Sequence, residues 1–279
     1  MFNGKLSVVM PAYNESASIV KNVAEAVQTL SGFGYDYEVV VVDDGSVDDT
    51  HSHAMQIAAK YGPKVRVVRY DDNRGKGGAL ICGTTYTTGD YIAFLDADME
   101  LHPEQLPLFL EILLAQNADV VIGSKRHPLS NVQYPRIRRI YSAGYFALVW
   151  LLFGLPLRDT QTGLKLFRRQ VLQDVFPKVL VKRFAFDIEV LANAHRLGYK
   201  IVDAPVTLRF ARRYGRITFH DIKTILLDTL AIFYRLRLLH YYDRVPFCSL
   251  TALRERVAAH ELTPERQTPA EKQHATAAP

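Results

Sequence analysis

The chain has 279 residues, 48% hydrophobic and 23% charged, the composition of a globular protein with enough length for one large α/β domain plus appendages. Its two cysteines, Cys82 and Cys248, exclude a disulfide framework and favour a reducing compartment. Met1–Ser7 lacks a basic segment followed by an apolar one, so no signal peptide is expected, and the net charge of +5 comes without any recognised nucleic-acid motif, so no nucleic-acid partner is expected.

In chain order, Leu6–Met10 is a short apolar strand stopped by Pro11. Residues 16–30 carry Ile19, Val23, Val27 and Leu30 at helical spacing. Val39–Val42 is a second strand, after which Ser46 and Asp48 can cap a helix reaching about Tyr61. Val65–Tyr70, Tyr91–Leu95 and Val120–Gly123 are further strands. Between them lie a helix over Gly75–Tyr86, opened by a glycine-rich turn, and one with Pro103 in its first turn. Strands alternating with helices predict a mostly parallel sheet covered on both faces.

Beyond residue 125 the pattern changes. Ile140–Leu157 has no charged residue, but Gly144, Gly154 and Pro156 interrupt it, so a core or interfacial helix is expected rather than a membrane span. A helix over 185–197 and a strand over Lys200–Val206 follow. Phe219–His240 places Ile222, Ile225, Leu226, Thr229, Phe233 and Leu236 on one face and ends in basic residues beside Tyr241 and Tyr242, which suits a helix lying in a membrane interface. The same face could instead pack on this protein's own core or on a second copy, giving a homo-oligomer. The division expected is a catalytic domain at 1–210, amphipathic membrane-interface helices at 211–248 and a disordered tail at 249–279.

The chemistry concentrates where apolar runs end in acids. Pro11-Ala12-Tyr13-Asn14-Glu15 follows the first strand and opens a helix, whose amino terminus offers N–H groups to anions. Asp43 and Asp44 end the second strand, where such folds bind ligands, and can accept hydrogen bonds from a ribose or a base. Asp96 and Asp98 end another, two residues apart and pointing the same way. Like charges so close call for a cation, and Mg²⁺ or Mn²⁺ between them and a diphosphate would supply it, with Glu100 as a third oxygen.

In this order and spacing the pieces resemble the family 2 glycosyltransferases, over roughly residues 5–240. The resemblance implies the GT-A fold of nucleotide-diphospho-sugar transferases, an α/β architecture with a mostly parallel central sheet. It implies that Pro11, Ala12, Tyr13, Glu15, Asp43 and Asp44 hold the donor's nucleoside. Asp96 and Asp98 become the Asp-x-Asp motif on nucleotide and metal, and Lys76 lies in the glycine-rich segment Asp72–Ala79 beside the nucleotide. Gly123-Ser124-Lys125-Arg126, Asp159-Thr-Gln-Thr-Gly-Leu-Lys-Leu-Phe167 and Phe184-Ala-Phe-Asp187-Ile-Glu189 look like the dolichyl-phosphate glucose and mannose synthases and their polyprenyl-phosphate relatives.

That likeness implies inverting transfer of glucose or mannose from UDP-glucose or GDP-mannose to a polyprenyl or dolichyl phosphate at the cytoplasmic membrane face. Lys125, Arg126, Arg138 and Arg139 would hold the acceptor phosphate, and Arg212 of Arg212-Arg-Tyr-Gly215 would close over the donor. A phosphate monoester is already an anionic nucleophile near neutral pH and needs no strong base. The alternative is a family member acting on a saccharide or protein hydroxyl with Asp187 as its base. A binding protein without catalysis would be expected to lack Asp96 or Asp98, and a nucleotidyltransferase would carry a glycine-rich loop where Pro11-Ala12-Tyr13 stands.

Overall fold

The computed structural model describes residues 4–132, 136–183, 185–208 and 219–259, without the side chains of 136–143 and 219–222. Among these residues seven strands form one sheet: β1 Lys5–Ala12, β2 Asp36–Asp44, β3 Val65–Tyr70, β4 Tyr91–Phe94, β5 Val120–Ser124, β6 Lys165–Arg168 and β7 Ile201–Pro205. Their spatial order is β3-β2-β1-β4-β6-β5-β7. Neighbours pair in parallel except at β6, which runs antiparallel to both β4 and β5. The sequence pattern misses β6 because Lys165-Leu-Phe-Arg168 is short and opens on a lysine, which reads as polar although Lys165 is buried.

The helices are α1 Ile19–Ser31, α2 Thr50–Tyr61, α3 Gly75–Thr85, α4 Leu106–Ala115, α5 Arg136–Phe153, α6 Arg169–Val175, α7 Phe186–Arg196, α8 Phe219–Arg237, α9 Tyr241–Arg244 and α10 Leu250–Ala258. Two apolar clusters hold them. One joins α1, α2 and α4 to β1, β2 and β4 through Ile19, Val23, Leu30, Ile57 and Phe109. The other joins α3, α5, α7 and the C-terminal helices to strand residues such as Val9, Val42, Phe94 and Phe167. Strands buried on both faces read as unbroken apolar runs, which is why β1, β2 and β4 are so plain in the sequence. Helix α3 lies flush on the sheet: a Cβ at Gly83 would stand 2.5 Å from Val9 and 2.6 Å from Val42, closer than side-chain packing allows.

Three expectations need correction. The tail predicted from residue 249 opens instead with α10, capped by Ser249 Oγ on the Ala252 N–H, and its Leu250, Leu253 and Val257 are buried. The face of α8 expected to meet a membrane packs inward over its second half. Thr229, Ile232 and Leu236 are buried, and Phe233 meets Phe153 edge-on at 6.3 Å between ring centres. Leu226, expected on that same face, is exposed, and beside it a row of Leu227, Leu230 and Tyr234 faces solvent. The C-terminal helices therefore share the catalytic domain's core rather than standing apart; the predicted boundary at 210/211 lies outside the described residues.

Candidate active site

The carboxyl ends of β1, β2 and β4 open on one cleft of about 190 Å³, lined by Pro11, Ala12, Tyr13, Glu15, Asp44, Lys76, Asp96, Ala97 and Asp98. The parallel strands bring these segments together because their registers align: Ala12 stands opposite Asp43, and Val9 opposite Phe94.

The turns after β1 and β2 are stitched to each other. Ser46 Oγ accepts from the Asn14 N–H at 3.0 Å, Thr50 Oγ1 from Glu15 N–H at 2.7 Å and Asp48 Oδ2 from Ser16 N–H at 3.1 Å. Asn14 Oδ1 accepts in return from Val47 N–H, with Asn14 itself at φ +54°. Burial opposes ionisation of Asp48, but hydrogen bonds from Thr50 and Ser16 outweigh it and hold its carboxyl at about 2. These amides were expected to remain available to an anion; they are already occupied, and α1 starts only at Ile19. The segment is a wall of the cleft rather than an open anion cradle.

Asp43 and Asp44 differ. Asp43 is fully buried: its Oδ1 accepts from Ser46 N–H at 3.1 Å and its Oδ2 lies 3.4 Å from Arg69 without a hydrogen bond. Asp44 lines the cleft, and its Oδ1 accepts from Tyr70 OH at 2.6 Å and from Arg74 N–H at 2.8 Å. Burial raises its carboxyl above the ordinary range in spite of those bonds.

Asp96 and Asp98 stand two residues apart in opposite electrostatic settings. Burial would raise Asp96, but Lys76 at 2.5 Å, then Lys165 and Lys125, pull it below its ordinary value. Its carboxylate lies against Gly163, where a Cβ would stand 2.0 Å from Asp96 Oδ2, so any larger residue there would displace the carboxylate. Asp98 is raised, first by burial and then by the charge of Asp96. Its Oδ1 accepts from Glu100 N–H at 3.1 Å across Met99, which adopts φ +58°. A non-glycine residue in that region stores local strain, a feature that gathers at functional sites.

Asp98 is the acid of the pair that could hold a divalent cation: among the described residues no ammonium or guanidinium forms an ion pair with it, whereas Lys76 occupies Asp96. The expected trio of Asp96, Asp98 and Glu100 is not gathered: among the described residues no three carboxylate, imidazole or thiol groups converge on an ion-sized point. A magnesium-like ion held by one or two carboxylates draws its other ligands from phosphate oxygens and water, so two acids suffice.

On the other flank, Lys165 is 2% exposed and its Nζ lies 2.8 Å from Asp187 Oδ1 at the start of α7. The same ammonium donates to the Thr162 carbonyl, and the charge of Asp187 reaches Lys76. Asp159 ties the loop before β6 to the end of β5, accepting from Lys125 N–H at 3.1 Å and from Thr162 Oγ1 at 2.8 Å. Arg126 stacks on the Phe146 ring of α5 at 4.8 Å. Arg138 and Arg139 lie in the first turn of α5, their side chains outside the described set, and Arg212 lies outside it altogether. Sequence pattern alone does not single out Lys165, Tyr70 or Arg74; only the Asp159–Phe167 motif points at the first.

The sequence profile described as Glycosyl transferase family 2 matches residues 7–176. The dolichyl-phosphate beta-glucosyltransferases of Drosophila melanogaster and Homo sapiens are each 37% identical to this chain, over 218 and 215 residues. Those matches take in 72% of this chain and 66% of each relative, so the chain spans just under two thirds of their length. Glucosyl-3-phosphoglycerate synthase from Mycobacterium tuberculosis, solved with Mn²⁺, uridine diphosphate and glucosyl-3-phosphoglycerate, superposes with a TM-score of 0.62 at 23% identity, over 82% of this chain and 78% of that one. The shared architecture is the GT-A fold, and with the profile matching well over half of its residues the chain belongs to glycosyl transferase family 2.

Proposed function

We propose that this protein transfers a hexose, glucose by preference, from a nucleotide diphosphate sugar to a polyprenyl phosphate of the dolichyl type at the cytoplasmic face of a membrane. The names of the relatives above support the sugar and the acceptor class. The observation that carries the acceptor reading is the Lys165–Asp187 pair. For Asp187 to take a proton from a sugar hydroxyl, the pair would have to break and leave the buried Lys165 ammonium without its ion-pair partner. A phosphate acceptor makes no such demand, because it arrives as an anion.

In this reading Asp44 and the wall at Pro11–Tyr13 bind the nucleoside, while Lys76 orients Asp96. A cation at Asp98, Mg²⁺ or Mn²⁺, would neutralise charge on the departing diphosphate. A phosphate oxygen of the acceptor forms the new bond to the anomeric carbon. The bond from that carbon to the diphosphate breaks, and the nucleoside diphosphate leaves with the electron pair. Attack opposite the leaving group inverts the centre. Lys125 and Arg126, with Arg138 and Arg139, hold the acceptor phosphate, and Arg212 covers the donor.

No helix among the described residues is long and apolar enough to cross a membrane. The outward faces of α5 and α8 nevertheless carry Trp150 at 57% exposure, Leu151 at 74%, Leu227, Leu230 and Tyr234, with Arg237 and Arg244 nearby. Apolar side chains flanked by cations and aromatic rings suit an anionic lipid surface, so the protein docks there as a peripheral protein. The test is a panel of nucleotide sugars incubated with a polyprenyl phosphate, with Mg²⁺, Mn²⁺ or chelator, scored for lipid-linked hexose. Product from UDP-glucose that disappears with chelator is expected; product on a soluble saccharide and none on the lipid phosphate would overturn the reading.

A further inference from the structure

We infer that helix α10 belongs to the donor-binding apparatus, with Arg254 as a positioning residue that sets α3, and through it Asp44 and Lys76, in place. The inference rests on the proposed nucleotide-sugar reading of the cleft.

Helix α10 lies along α3 and holds both of its ends. At the carboxyl end, Arg254 Nε donates to the Thr85 carbonyl at 3.1 Å, and its guanidinium sits over the Tyr86 ring at 4.3 Å. At the amino end, Arg74 Nη1 donates to the Val257 carbonyl at 3.0 Å. That carbonyl lies in the last turn of α10, where the Ala259 N–H also points at it, and a cation there complements the helix dipole. Between the two grips, Leu250, Leu253 and Val257 are buried in the same cluster as Ala79 and Cys82 of α3.

The grip bears on the cleft through one residue. Arg74 donates its own N–H to Asp44 Oδ1, and its guanidinium lies 4.4 Å from the centre of the Tyr70 ring, whose hydroxyl donates to the same Asp44 oxygen. Two residues on, Lys76 pairs with Asp96. A slide or tilt of α3 therefore moves the groups that orient both acids at once. Glycine-rich α3 has few side chains with which to anchor itself: Gly75, Gly77, Gly78 and Gly83 are four of its eleven residues. A second helix clasping its two ends supplies what its own sequence does not.

The experiment uses the full chain and reads nucleoside diphosphate affinity by calorimetry, together with donor KM and kcat. Arg254→Ala is expected to weaken UDP binding and raise donor KM by roughly tenfold, with kcat changed less than about threefold, the size of a coupling carried through one packed element. Arg254→Lys, which keeps a cation over Tyr86 and a donor to Thr85, is expected to recover most of the affinity. Unchanged affinity and KM in Arg254→Ala, whether or not the melting temperature falls, would show that α10 only adds stability and would overturn the inference. Loss of kcat at unchanged KM would overturn it as well. Wild-type protein that binds no nucleoside diphosphate would overturn the nucleotide-sugar reading itself, and the inference with it.

Discussion

The two flanks of the cleft are built by different means. On the donor flank, small polar side chains tie one turn to the next: Asn14 to Val47, Thr50 to Glu15, Asp48 to Ser16, Asp44 to Arg74. On the acceptor flank, buried charge and aromatic contact do the work: Lys165 with Asp187, Glu189 with Tyr242, Arg126 on Phe146, Tyr145 with Thr229. The first kind of wall is fixed by hydrogen bonds that water could replace at modest loss. The second depends on charges that have no substitute once their partner goes. Substitutions should therefore change binding and rate on the donor flank, and fold stability on the acceptor flank.

The largest effect is expected at Asp98. Asp98→Ala should lower transfer by a factor on the order of 10³ or more, since it removes the acid best placed for a cation against the developing charge. Melting temperature should change little, because burial and Asp96 already disfavour the ionised carboxylate. The same raised carboxyl gives a pH signature. Protons and metal compete for Asp98, so the acid limb of the rate profile should move to lower pH as Mn²⁺ is increased. A limb that ignores metal concentration would remove Asp98 from the metal site.

Asp187 sharpens the contrast. Asp187→Ala should leave a measurable rate on the lipid phosphate while destabilising the fold by about 3 kcal/mol, the magnitude for breaking a buried ion pair from one side. Urea denaturation beside a single-turnover assay separates the two. Complete loss of transfer with donor affinity and fold intact would restore Asp187 as a base and make the acceptor a hydroxyl.

How legible each flank was follows from the same difference. Apolar runs ending in acids announce β1, β2 and β4, and residues 5–124 could be placed because each turn's partners are short polar groups at the strand ends. The acceptor flank hides its logic. Lys165 looks like a surface residue until its ammonium is seen against Asp187 and the Thr162 carbonyl. Helical spacing on α8 marked an apolar face but not what covers it: Thr229 and Leu236 of that face meet the core, whereas Leu226 joins an outward row with Leu227 and Leu230. Helix α10, from nine residues with three apolar contacts, gave too weak a pattern to separate from the segment after it.

That outward row offers a smaller, cleaner test. Leu227→Asp with Leu230→Asp should cut binding to anionic vesicles by about tenfold or more, each buried apolar side chain being worth roughly 1.5–3 kcal/mol. The fold should lose no more than about 0.5 kcal/mol per site, as exposed positions do. Ile232→Asp, one step around the helix, should instead unfold the protein. Equal vesicle binding in the double variant would mean that this face does not meet lipid.

The smallest effect separates the flanks by pH rather than by rate. Glu189 is fully buried, its Oε2 accepting from Val181 N–H at 2.7 Å and Leu180 N–H at 3.0 Å, and its Oε1 from Tyr242 OH. It joins α7, the helix of Asp187, to α9. Burial raises its carboxyl above the ordinary value of 4.5, and the hydrogen bonds and Arg235 only partly offset that. A folded-state value above the unfolded one means the native protein binds the extra proton. Its stabilising contribution is complete below about pH 4.5 and is lost as pH rises through the folded-state value. Glu189→Gln keeps acceptors for the backbone N–H groups and cannot ionise. The variant should match or trail the wild type in melting temperature at the acid end and gain on it steadily toward neutral pH. A difference that stays constant with pH would mean that Glu189 titrates alike in the folded and unfolded protein and that its burial is fully offset by Tyr242, the backbone N–H groups and Arg235.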